Sequence, residues 1–261
     1  MDILSNGNVG RADSRMVRQI NLHSVFTLIR QQKQLRISDI ARRSGLSVAT
    51  VKNLLEHLIE LRLITALGEG NSTGGRKPVI YTLDKAQTRL WSIEIQIDRV
   101  IGSVVDIDGN LIWHVERLIS AVTVDDVVNL TESIFHDGMC QTGIVASSVL
   151  GMTVCIPGFV DLTEKTIVLD VILGIEHLEL GTILTDRLGI PVFLLEEANA
   201  KLLAEIEYGV GKEHDNLLFL LIGSGLGKGI GAGLVTNGKV IKGSQGFWGE
   251  VGHMSLDPNG P

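Results

Sequence analysis

The stretch 37–63, ISDIARRSGLSVATVKNLLEHLIELRL, constrains the fold of this chain more than any other. Ile37, Ile40 and Ala41 share one face of a short helix over 38–44, with Ser38 as its expected N-cap. Gly45 follows, suited to a left-handed turn, and Leu46 gives that turn an apolar side chain. Ser47 is placed to cap a second helix whose expected buried stripe is Val51, Leu54, Leu55, Leu58, Ile59 and Leu61. Between those positions lie Ser47, Ala49, Thr50, Lys52, Asn53 and His57, small or hydrogen-bonding groups able to reach base edges. The pattern reads as a helix-turn-helix, whose second helix enters a major groove of DNA. The alternative is an ordinary helical hairpin in which Lys52 and Asn53 are merely solvated.

The flanking residues favour the first reading. Val17, Ile20, Asn21, Ser24, Val25, Leu28 and Ile29 recur at helical spacing, predicting a helix over 13–32 that packs against the helix-turn-helix. Two short strands, 64–67 and 79–83, bracket GEGNSTGGRKP, a glycine-rich loop. Two strands with a basic tip make a wing, with Arg76 and Lys77 expected to reach phosphates or a minor groove. Charge divides at the same place. The first 86 residues carry 13 Lys and Arg against 7 Asp and Glu, whereas the remainder carries 10 against 23. A basic head on an acidic body fits a DNA-binding module joined to an effector domain. The expected boundaries are 1–83 for the winged helix-turn-helix, 84–89 for a linker and 90–261 for the body.

The body reads as α/β. Apolar residues make up 44% of the chain, aromatics only 4%, and there are 30 glycines among 261 residues. The pattern predicts strands at 90–97, 100–107 and 111–117, a helix over 124–136, and a buried strand at 149–156. A helix at 178–188, a strand at 192–195 and a helix at 198–208 follow. Strands at 217–222, 230–235 and 239–241 close the series. Cys140 and Cys155 alone offer no disulfide framework, so a reducing cytoplasm is expected. No signal peptide and no membrane span is expected from the sequence.

The strand at 217–222 runs into GSGLGKG, residues 223–229. Such a loop lets a phosphate or a hydroxyl-rich ligand approach backbone N–H groups, although structural turns account for many similar loops. It is not a Walker loop, because no Ser or Thr follows Lys228, and no helix follows to complete a dinucleotide fingerprint.

The tracts GMTVCIPGFVD, LEEANAKLLAEIEYGVG and LLFLLIGSGLGKGIGAGLVTNGKVIKGSQGFWGEVGHMSLDPNGP resemble the ROK family of repressors, open reading frames and sugar kinases. With the winged head, the resemblance is to its sugar-responsive repressors of the xylose, glucose and N-acetylglucosamine type. It covers nearly the whole chain from Ser14. It implies an actin-like (ribonuclease H-like) α/β fold, incomplete here at its C-terminus, with ligand in a cleft.

Departures from the family's kinases carry information. Where those have Asp followed by Gly-x-Thr for the nucleotide phosphates, this chain has Glu94-Ile95-Gln96-Ile97-Asp98, losing both the Gly and the Thr. The kinases' catalytic base is the Asp of Asn-Asp-Ala-Asn; here the tract is Glu196-Glu197-Ala198-Asn199. Glu197 keeps the carboxylate on a longer arm, and a misplacement of about 1 Å costs roughly a hundredfold in rate. Lys228 stands where the phosphate loop usually has Gly. Glu250-Val251-Gly252-His253 matches the family's Glu-x-Gly-His.

The resemblance therefore implies sugar binding by Asn199, Glu250 and His253, with Glu197 a vestigial catalytic position that accepts a hydrogen bond. It also implies a structural zinc in full-length members, with His253 as one ligand. The three cysteines that complete that site would follow Pro261, so His253 alone predicts weak zinc binding or none. The expected protein is a sugar-responsive repressor of carbohydrate-utilisation genes, not an enzyme, with operator DNA and a sugar or sugar phosphate as partners and a homodimer or homotetramer as its assembly. An ATP-dependent sugar kinase carrying a DNA-binding head is the alternative.

Overall fold

The computed structural model describes residues 9–67, 79–119, 123–161, 163–171, 173–223, 229–241, 243, 248–255 and 257, with side chains from Ser14 onward. It contains two compact units. The first gathers Met1–Thr88 with Asp106–Asn110; the second gathers Arg89–Val105 with Leu111–Pro261. No helix among the described residues is long and apolar enough to cross a membrane.

The first unit runs α1 (Val9–Gln32), β1 (Leu35–Arg36), α2 (Ile37–Ser44), α3 (Val48–Glu60), β2 (Ile64–Leu67) and β3 (Ile80–Leu83). The three strands form an antiparallel sheet in the order β1-β3-β2, with Leu35 opposite Tyr81 and Ile64 opposite Leu83. Val25 and Ile29 of α1, Ile40 of α2, and Leu55 and Leu58 of α3 converge on one core. At about 25 cal/mol per Å² of apolar surface removed from water, that convergence is what holds three short helices together.

Four expectations about this unit need correction. Ser38 does not cap α2. The chain is already helical at Ile37, because pairing of β1 with β3 holds Arg36 extended at φ −86° and ψ 154° in the N-cap position. Val17 and Ile20 are 54% and 56% exposed, so these two positions of α1 do not pack on the core that Val25 and Ile29 build. Ile59 and Leu61 are exposed as well; the buried stripe of α3 is Val51, Leu54, Leu55 and Leu58. Residues 84–89 are no free linker, since Asp84 and Thr88 are buried and Thr88 donates its hydroxyl to the Arg62 carbonyl.

The second unit begins with β4 (Arg89–Ile95), β5 (Arg99–Asp106) and β6 (Leu111–Leu118), followed by α4 (Val124–Thr142) and β7 (Val149–Ile156). A small antiparallel sheet, β8 (Phe159–Asp161), β9 (Thr166–Asp170) and β10 (Ile175–Leu178), precedes α5 (Leu180–Leu188), β11 (Val192–Glu196) and α6 (Glu197–Tyr208). The strands β12 (Leu217–Ile222), β13 (Ile230–Thr236) and β14 (Lys239–Ile241) form a third, antiparallel sheet.

The central sheet has the order β11-β7-β4-β5-β6, with β11, β7 and β4 parallel. Parallel neighbours need crossovers, and α4 and α5 supply them. The helix α4 starts on a capping box, in which the Thr123 hydroxyl accepts from Asp126 N–H and the Asp126 carboxylate accepts from Thr123 N–H. It lies close against the sheet because Gly138 leaves room: a Cβ there would stand 2.4 Å from the Trp91 ring. Trp91 packs against Phe135 and Trp113 at centroid distances of 4.8 and 5.7 Å. On the third sheet, Gly233 allows Leu202 of α6 to seat, a Cβ there meeting Leu202 at 2.7 Å.

Candidate functional site

Ser47, Ala49, Thr50, Lys52 and Asn53 are all exposed on α3, opposite its buried stripe. Ser47 caps the helix as its sequence position predicts, accepting from Thr50 N–H at 3.1 Å. Its hydroxyl also lies 2.8 Å from the Thr50 hydroxyl, so each oxygen keeps only part of its capacity for an outside partner. Lys52 sits 3.7 Å from Glu56 one turn on, an exposed pair worth a few tenths of a kcal/mol that leaves the ammonium recruitable by phosphate. Gly45 takes φ +71°, which turns α2 into α3. Arg76 and Lys77 lie outside the described residues.

The second unit has a cleft of about 900 Å³ where the carboxyl ends of β4 and β7 meet the start of α6 and the β12–β13 ends. The carboxyl ends of parallel strands are where open α/β sheets place ligand sites. Gln96–Arg99, Pro157, Glu196, Glu197, Lys201, Glu250 and His253 are among its lining. Residues 224–228 of the glycine loop, Lys228 included, lie outside the described residues; its two ends are tied by Gly223 N–H to Gly229 carbonyl at 2.9 Å.

Carboxylates dominate this cleft. Burial, with Glu250 facing it, pushes the Glu196 carboxyl up to about 7. Asn199 donates its amide to Glu196 at 2.5 Å and is not part of the cleft lining; its own carbonyl oxygen is buried without a partner among the described residues. Glu197 is ion-paired with Lys201 one turn along α6, and Lys201 reaches Glu94 of β4 at 3.7 Å. Burial draws the Lys201 ammonium down, but hydrogen bonding to Glu197, with Glu94 nearby, more than reverses this and raises it overall. The same environment makes the thiol of Cys155, buried beside Glu94, inert, pushed up to about 12.

The Glu250–His253 tract is held by backbone geometry. Gly249 adopts φ +114° and its carbonyl accepts from Ala232 N–H at 2.8 Å; a Cβ on Gly249 would stand 2.2 Å from the Ala232 oxygen. Gly252 is equally confined, its Cβ position being 2.7 Å from the Ile230 carbonyl oxygen. Glu250 and His253 lie at 3.7 Å from each other, and His253 is 85% exposed. Among the described residues no group of three or more His, Cys, Asp and Glu side chains could hold a metal ion. Arg99, Glu196 and Lys201 are among the cleft residues that sequence reasoning did not assign. Spacing of i and i+4 between Glu197 and Lys201 was the signal for Lys201.

Residues 93–261 match the ROK family model, and residues 24–68 match the IclR helix-turn-helix domain. The chain is 28% identical to the xylose repressor of Bacillus subtilis over 254 residues, covering 96% of this chain and 64% of that protein. It is 22% identical over 252 residues to the DNA-binding transcriptional dual regulator NagC of Escherichia coli, covering 97% and 61%. It thus spans under two thirds of the length of these relatives. A solved ROK family transcriptional regulator, a homolog of the Escherichia coli MLC protein, superposes with a TM-score of 0.80 at 24% identity, over 94% of this chain and 61% of that one. A ROK family glucokinase from Streptomyces griseus, in complex with glucose and AMPPNP, does so with a TM-score of 0.57 at 23% identity, over 66% and 52%. The ROK family model covers more than half of the chain, and the chain belongs to the ROK family.

Proposed function

We propose that this chain is the DNA-binding and sugar-sensing part of a transcriptional repressor of carbohydrate-utilisation genes. The observation that carries the reading is the joining of a capped, outward-facing α3 to a cleft in which Glu197, the carboxylate at the kinases' catalytic position, is held by Lys201. A carboxylate that already neutralises an ammonium is a poor proton acceptor for a sugar hydroxyl. Ligand binding without turnover follows, and the relatives named as repressors support it.

In this scheme Ser47, Ala49, Thr50, Lys52 and Asn53 face the major groove, and Arg76 and Lys77 take the flanking phosphates. Glu250, His253 and the Glu197–Lys201 pair offer hydrogen bonds to sugar hydroxyls, while Asn199 holds Glu196 in place. Two copies read a two-fold operator in the cytoplasm, and sugar biases the conformation in which both heads fit successive grooves. A coupling of about 1–3 kcal/mol changes operator affinity roughly 5- to 150-fold. Titration of operator DNA against D-xylose, D-glucose and N-acetylglucosamine, with a parallel ATP-dependent phosphorylation assay, tests this. Sugar phosphate formed at a catalytic rate transfers the case to a kinase.

A further inference from the structure

Asp106–Asn110 is the turn between β5 and β6, yet it belongs to the first compact unit. Ile107 is buried in that unit's core, the same cluster as Val25, Ile29 and Leu55. The Asp108 carboxylate, 8% exposed, accepts from Lys33 at 2.9 Å and is also paired with Lys85. Hydrogen bonds from Lys33 and then Lys85 hold its carboxyl below the usual carboxylate range. Asp106 closes the turn from within, accepting N–H of Asp108 and of Asn110 at 2.9 Å each and the Asn110 side-chain amide at 2.8 Å. Such a turn holds its shape independently of what surrounds it. Lys33 is itself fixed at φ +64°, just beyond the end of α1.

We infer that this turn is the attachment through which the cleft acts on the DNA-reading unit, with Asp108 as a positioning residue. The inference rests on the sensing function proposed above and names its route. β5 begins at Arg99, which lines the cleft, and ends at Asp106. One continuous strand of roughly 25 Å therefore runs from the cleft lining into the first unit's turn. It pairs with β6 from Arg99–Leu118 to Val104–Trp113 in unbroken register, and a β-bulge between Val104 and Val105 bends it just before the turn. The connection that precedes β4, through residues 84–88, is tied into the first unit, with Asp84 N–H donating to the Leu63 carbonyl at 3.1 Å. A shift of β5 at Arg99 thus arrives as a displacement of Ile107 and Asp108. Coupling of two sites needs a contiguous physical link that both can bias, and here that link is β5 together with the ion pairs of Asp108 to Lys33 and Lys85.

Hydrogen exchange on the full chain tests the route without any sugar. Arg99→Ala removes the guanidinium that holds Asp98 at 2.8 Å and Glu116 at 2.5 Å at the strand's cleft end. The expected result is at least threefold faster amide exchange in α2 and α3. That acceleration disappears when Asp108→Asn is added, and equally with Lys33→Asn, whose new side chain tolerates the left-handed backbone. Circular dichroism confirms that each variant is folded. Equal acceleration with and without the Asp108 pair, or none in α2 and α3, overturns the inference. Operator affinity is read on the same proteins with the three sugars. Transmitted exchange in a wild type that no sugar releases from DNA defeats the sensing function and leaves the attachment standing.

Discussion

Lys201 and Glu197, one turn apart on α6, form an ion pair that Glu94 of β4 joins from the Lys201 side at 3.7 Å. The lysine lies within reach of both carboxylates, and its ammonium offsets their mutual repulsion. It is 37% exposed, so solvent screens much of its effect. Lys201→Ala is expected to destabilise the second unit by about 1 kcal/mol at pH 8 and by less at pH 5. Urea unfolding at both pH values checks this. Unchanged midpoints at both would show that the lysine does not hold the carboxylates together.

Glu196 gives a pH dependence of definite sign. Its carboxyl is pushed from 4.5 up to about 7 by burial first and by Glu250 second. Between those values the folded chain keeps a proton that the unfolded chain has lost, so stability falls as pH rises through that window. The slope is at most about 1.4 kcal/mol per pH unit. Glu196→Gln is expected to flatten the decline between pH 4.5 and 7, read from thermal midpoints in a pH series. A slope identical in the two proteins contradicts the assignment.

Much of this was legible in the sequence. The left-handed turn at Gly45, the Ser47 cap and the capped, glycine-punctuated elements around them carry their own local chemistry, so the sequence specifies them. What escaped depends on neighbours distant along the chain. The two-residue β1 exists only because β3 pairs with it, and that pairing displaces the cap expected at Ser38. Ile59 is apolar but follows Leu58 by one residue, about 100° around the helix from the core stripe. The small β8–β9–β10 sheet was missed because its strands span only three to five residues. The raised carboxyl of Glu196 comes from burial first and from Glu250, 54 residues away, second, and no local pattern encodes either.

Packing of α4 on the central sheet depends on a missing side chain. Gly138→Ala would place a Cβ 2.4 Å from Trp91 and 2.9 Å from Trp113. Neither ring can yield cheaply, since both belong to the same aromatic cluster. The expected loss is about 1–3 kcal/mol, with changed near-ultraviolet dichroism from the two tryptophans. A variant as stable as wild type, with the same spectrum, would mean that α4 stands further from the sheet.

On the DNA side, two substitutions separate fold from readout. Ser47→Ala removes the α3 cap and is expected to lower head stability by about 1 kcal/mol, weakening all operators alike. Asn53→Ala leaves the core untouched and is expected to lower discrimination at one base pair by about 1–3 kcal/mol. Competition binding against single-base operator variants distinguishes them. Uniform loss for Asn53→Ala would remove it from the base-reading set.

The central claim is that the cleft senses sugar without reacting on it. The most direct measurement is operator binding by the protein, titrated with D-xylose, D-glucose and N-acetylglucosamine, while sugar phosphate is assayed in the same samples with ATP. The predicted result is that one sugar lowers operator affinity 5-fold or more, roughly the lower end of allosteric coupling, with no sugar phosphate formed. Operator affinity indifferent to every sugar, or sugar phosphate accumulating over many turnovers, would contradict the account.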